Sequence, residues 1–114
     1  MNTIEENGQL LRIMIGETDR HGKMPLFEWI VKQARKHNMA GATVLRGIQG
    51  FGANSLIHTT KILRLSEDLP VVVEIIDTSE KIASFLPVID EAVTEGIATV
   101  EKVNVRFYRY GKKK

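Results

Sequence analysis

Two apolar stripes with the period of a helix, each set between runs with the character of strands, constrain this chain most. Leu10 to Gly16, LLRIMIG, is apolar, and its β-branched Ile13 and Ile15 favour a strand. Glu17 to Lys23 is charged, carries Gly22 and reads as a loop. Pro25 suits a first helical turn, and Phe27, Ile30, Val31 and Ala34 then fall on one helical face. That helix is expected to run to about Asn38, with Gly41 as its stop. A second strand is expected from Ala42 towards Gly52. A third begins near Ile62, is interrupted around Ser66–Pro70 and resumes over Val71 to Ile76, VVVEII. Asp77 can cap the next helix, with Glu80 completing a capping box. Ile82, Phe85, Leu86, Ile89 and Val93 form its stripe, Pro87 should kink or split it, and Gly96 ends it. Ala98 to Phe107 alternates as a last strand.

The order β-α-β-β-α-β folds most simply as an α+β, ferredoxin-like sandwich: a four-stranded antiparallel sheet with both helices on one face. The other face would stay uncovered, and apolar residues on it argue for self-association. A chain of 114 residues has room for one domain, placed here over residues 9–110, between a disordered N-terminus (1–8) and a basic tail (111–114). With 43% apolar and 26% charged residues the composition is that of a soluble globular protein. The absence of cysteine excludes disulfides and thiolate chemistry. The polar start MNTIEENGQ lacks the pattern of a signal peptide, and no apolar run reaches a membrane span, so a cytoplasmic address is expected. A pI of about 9.0 suggests a nucleic-acid partner. The net charge of only +2, with Lys112, Lys113 and Lys114 contributing to it, argues against one.

Chemistry concentrates in two segments. In ATVLRGIQGFGANSLIHTT, Ala42 to Thr60, Gly47, Gly50 and Gly52 would let a phosphate or another chain approach the backbone. Backbone amides at Gly50 and Gly52, with Phe51 between them and Asn54, Ser55 and His58 beyond, could cradle an anion. Arg46, Lys61 or Arg64 would offset its charge. The same glycines would equally suit a β-bulge or bend whose polar residues are only solvated. The second segment is the charged loop with Glu17, Asp19, Arg20 and His21. A carboxylate beside an imidazole can do acid–base work, but no HxH or HxxxH spacing exists, so a metal is not expected. A salt-bridged loop is the structural alternative. His37 reads as a charge partner of its helix C-terminus, and Phe107 to Tyr110 as an extension of the last strand across a subunit boundary.

RGIQGFG, Arg46 to Gly52, resembles the strand-into-T-loop junction of PII signal-transduction proteins. GETDRHGKMPLFEWIV, AGATVLRGIQGFGANSLIHT and LRLSEDLPVVVEIID resemble, more specifically, an uncharacterised PII-like family, over roughly Leu10 to Val105. The resemblance implies a ferredoxin-like subunit, a homotrimer and small-molecule sensing without catalysis. A link of that family to fluoride-exporter genes would imply a transporter as protein partner. The chain departs from PII in three places. Ala53-Asn54 stand where PII has Arg-Gln, Ala53 to Thr60 holds no tyrosine, and Gly96-Ile97-Ala98-Thr99 lacks a phosphate-binding Gly-Lys. These departures argue against ATP held in the PII manner. The expectation is therefore a small anionic effector, with an adenine nucleotide as the cofactor to test. The alternative from another class is a small enzyme or metal-binding protein using Asp19, His21 and His58.

Overall fold

The computed structural model describes residues 3–50 and 68–111. Eight elements follow one another: β1 (Gly8–Gly16), β2 (Arg20–His21), β3 (Met24–Pro25), α1 (Leu26–Lys36), β4 (Ala42–Arg46), β5 (Pro70–Thr78), α2 (Ser79–Ala92) and β6 (Ile97–Lys102). The four long strands form one sheet in the order β4-β5-β1-β6, antiparallel throughout. This is the ferredoxin-like arrangement expected. β2 and β3 form a separate small hairpin inside what reads from sequence as a loop, turning at Gly22 with φ 63°.

Alternation assigns the faces. Leu11, Ile13 and Ile15 of β1 lie beside Val71, Val73 and Ile75 of β5, and all are buried. Leu26, Ile30 and Ala34 of α1 and Ile82, Phe85 and Ile89 of α2 close over them in a single core. Each large apolar side chain removed from water in this way contributes about 1.5–3 kcal/mol.

Several boundaries differ from the sequence reading, each for a local reason. α1 ends at Lys36, and the residue that stops it is Asn38, not Gly41. Asn38 takes φ 59°, its N–H donates to the Arg35 carbonyl (3.0 Å), and Met39 N donates to the Ala34 carbonyl (2.9 Å). That pair of bonds is a Schellman motif with asparagine in the left-handed position. The cap of α2 is Thr78, whose hydroxyl accepts from Lys81 N at 3.2 Å. Asp77 is instead buried, accepting from Ala40 N (2.8 Å) and Thr78 N (2.7 Å), and so ties the α1–β4 connection to the end of β5. Pro87 does not split α2, which is continuous from Ser79 to Ala92. Pro87 and Ala83 are both exposed, so the Ala83 carbonyl released by the missing N–H faces water. β4 ends at Arg46 and β6 at Lys102, both earlier than the alternation suggests. The part of the expected third strand before Asp68 lies outside the described residues.

Residues 3–7 form a turn in which Asn7 N donates to the Thr3 carbonyl (2.9 Å), and the Asn7 side chain donates to Ser79 Oγ and Glu80.

The second sheet face is only partly bare. Across it runs one apolar row through all four strands, Leu45–Val72–Met14–Ile97, with Met14, Leu45 and Ile97 41–49% exposed. The next row is polar, with Arg12 Nε bonded to Glu74 Oε2 at 2.9 Å. Beyond it the C-terminal segment crosses over. Val103 N donates to the Gly8 carbonyl and Tyr108 OH to the Ala40 carbonyl (2.9 Å), and Leu10 is buried beneath.

Candidate functional site

The two roots of the long β4–β5 connection are held together at one end of the sheet. Gly47 N donates to the Pro70 carbonyl at 2.7 Å, carrying the ladder one residue past β4. A Cβ on Gly47 would lie 2.8 Å from Pro70 Cγ, and one on Gly50 (φ 150°) would lie 3.2 Å from the same atom. The close approach of the two roots therefore leaves no room for a side chain at Gly47, and the backbone conformation of Gly50 favours glycine. The loop after β1 closes the same end. Glu17 N donates to the Leu69 carbonyl (2.8 Å), and Thr18 gives both its N–H and its hydroxyl to Asp68 Oδ1.

Arg46 and Glu17, drawn from the two different candidate segments, meet here in an ion pair at 3.0 Å. Arg46 remains half exposed, so an anion arriving at the roots would compete with a carboxylate that water also reaches. The other members of the charged loop are engaged in holding it. Asp19 Oδ2 accepts from Gly16 N at 2.9 Å, and the Asp19 carbonyl accepts from Leu26 N at 2.8 Å. Arg20 donates to the Lys23 carbonyl across the hairpin, and His21 stacks on Trp29 with ring centroids 4.0 Å apart. Among the described residues no three metal-ligating side chains come together. Phe51, Gly52, Asn54, Ser55, His58, Lys61 and Arg64 lie outside the described residues. His37 bonds the Gln33 carbonyl through Nδ1 at 2.8 Å, closing the end of α1.

At the opposite end of the sheet lies a cavity of about 360 Å³, which sequence reasoning missed. Ala40, Gly41, Ala42 and Thr43 form one wall, Glu74 and Ile76 the floor, and Val103 to Val105 with Phe107 and Tyr108 the roof. The local signal was the small-residue run Ala40-Gly41-Ala42, which leaves room beneath a crossing segment. It is readable only once the C-terminus is known to fold back across the sheet.

The chain has relatives among known proteins. The DUF190 family model, described as Uncharacterized ACR, matches residues 8–105. The chain belongs to the DUF190 family. It is 39% identical over 97 residues to a UPF0166 protein of Aquifex aeolicus, covering 85% of this chain and 91% of that protein. A UPF0166 protein of Methanocaldococcus jannaschii is 33% identical over 85 residues, covering 75% of this chain and 78% of its own length. In fold this DUF190 chain is similar to a solved structure of CPII bound to ADP and bicarbonate, from Thiomonas intermedia K12. The TM-score is 0.55 at 14% identity, over 84% of this chain and 85% of the other. The PII-like family expected from the motifs is thus the family found, and the ferredoxin-like fold is the one shared. Among the described residues of this DUF190 chain no helix is long and apolar enough to cross a membrane.

Proposed function

We propose that this DUF190 protein is a PII-type regulatory subunit that senses a small anionic effector, an adenine nucleotide, at clefts between copies of itself. The observation that carries the reading is the cavity beneath the C-terminal segment. Its volume suits a purine ring, its apolar surfaces come from Ile76, Val105 and Phe107, and Thr43, Glu74 and Asn104 offer hydrogen bonds to a base edge. Arg106 and Arg109 flank the cavity residues Phe107 and Tyr108, are exposed, and supply the charge a phosphate chain needs. The ADP in the CPII relative supports that choice of ligand.

The segment between β4 and β5 enters through assembly. Its roots leave β4 at Arg46, roughly 13 Å along the strand from the cavity wall at Ala42. Packing of copies through the apolar row Leu45–Val72–Met14–Ile97 would bring one subunit's loop roots to a neighbour's cavity. A trimer formed this way makes the loop the readout, offered to a protein partner such as a transporter. In this reading the protein changes partners and not bonds, so it is not an enzyme.

The test joins mass and ligand. Sedimentation should give three copies, and ADP or ATP should raise the melting temperature, since ligand at a hundredfold excess over Kd adds about 2.7 kcal/mol. Arg109→Ala should weaken that effect at least several-fold while the mass is retained. A monomer at micromolar concentration, or no stabilisation by any adenine nucleotide, overturns the proposal, and turnover of the nucleotide would replace sensing by catalysis.

A further inference from the structure

A second recess lies on the helical side of the molecule, apart from the cavity under the C-terminal segment. It has a volume of about 500 Å³ and is lined by His21, Trp29 and Gln33 on one side and by Val88, Glu91 and Ala92 on the other. His21 reaches it from the β2–β3 hairpin, and its imidazole lies nearly parallel to the Trp29 indole, at 22°. One side therefore carries a flat aromatic pair, and the other, with the apolar Val88 and Ala92, carries one carboxylate, Glu91.

The charges around the recess are unbalanced. Glu91 is exposed, and it forms no ion pair or hydrogen bond with any described residue. It stands in the last turn of α2 with Asp90, and that turn holds no basic residue. The negative end of the helix dipole disfavours anions at such a position. Among the described residues no lysine or arginine lines the recess to answer Glu91. An aromatic face opposite an unanswered carboxylate is the arrangement that attracts organic cations.

We propose that this recess binds a guanidinium group, stacked against the His21–Trp29 pair and held bidentately by Glu91. Guanidinium fits better than ammonium because it is planar, weakly hydrated and forked to match a carboxylate. The group belongs to a small guanidinium compound or to an arginine side chain, and the two share this chemistry.

Trp29 is the only tryptophan of the chain, so indole fluorescence reports on this recess alone. Methylguanidinium, capped arginine amide, methylammonium and urea are titrated into the full chain at matched ionic strength, with the indole N–H followed by NMR in parallel. Saturable changes with the two guanidinium probes, weaker with methylammonium and absent with urea, support the site. Tighter binding of capped arginine than of methylguanidinium points to a protein side chain as the source, and equal binding to a free compound. Glu91→Gln should weaken binding at least tenfold with an unchanged or raised melting temperature, because it removes an anion from a helix C-terminus. If neither signal saturates, if urea matches the guanidinium probes, or if Glu91→Gln binds as well as the parent chain, the proposal is overturned.

Discussion

The two faces of one sheet are made from the same strands, yet they follow different rules. On the helical face Ile13, Val73 and Ile75 are fully buried among Ile30, Ile82 and Phe85. One residue along each strand, the opposite face carries an apolar row, then the Arg12–Glu74 ion pair, then a cavity under the C-terminal segment. The helical face answers only to the need to remove methyl groups from water. The open face keeps charge, exposure and empty volume, none of which the burial of the core accounts for. The contrast separates the residues that fold the subunit from those left free for the proposed assembly and binding.

The largest effect should come from the helical face. Phe85→Ala empties a fully buried ring site and should cost about 3–5 kcal/mol in denaturant unfolding. A cost near that of a surface change would mean that this face is not the core. Gly96→Ala should come next, at about 1–3 kcal/mol. Gly96 holds φ 153°, and a Cβ there would lie 2.6 Å from the Met14 carbonyl, so the turn into β6 admits no side chain. Thermal melting of the monomeric fraction reads both variants.

Met14→Glu tests the other face. It places a charge in the middle of the exposed apolar row and should change subunit stability by no more than about 0.5 kcal/mol. Assembly, read by sedimentation, should be lost. Intact assembly would move the contact surface elsewhere, and an unfolded subunit would erase the distinction between the faces.

How far each face could be read from the sequence follows the same division. The stripe Phe27, Ile30, Val31, Ala34 and the run VVVEII predict α1 and β5 because periodicity is a direct record of burial. The α2 cap is misread because Asp77 and Thr78 are both good caps, and only the fold shows Asp77 to be spent on Ala40 N. The pairing of Arg46 with Glu17 joins two segments far apart in the chain, and no local pattern predicts it. The cavity was invisible for a related reason. Its roof, Val103 to Tyr108, reads as a continued strand, whereas the chain leaves the ladder at Lys102 and crosses the sheet. Of the glycines that the motifs single out, Gly47 and Gly50 lie close to another part of the chain, here Pro70.

An effect that is small in the isolated subunit is the most informative about assembly. Arg12 and Glu74 face each other across β1 and β5 with side chains 33% and 27% exposed, so in the isolated subunit their coupling is screened by water. A double-mutant cycle with Arg12→Met and Glu74→Gln should give a coupling of only about 0.2–1 kcal/mol at high dilution. If copies close over this face, the pair loses its water. Removing either partner alone would then leave a buried unpaired charge, costing about 3–5 kcal/mol in the assembled state. The same cycle measured at high protein concentration should therefore show a much larger coupling, carried by the dissociation constant of the oligomer. Equal couplings at both concentrations would place the ion pair at a surface that stays wet, and the open face would have to work through its cavity alone.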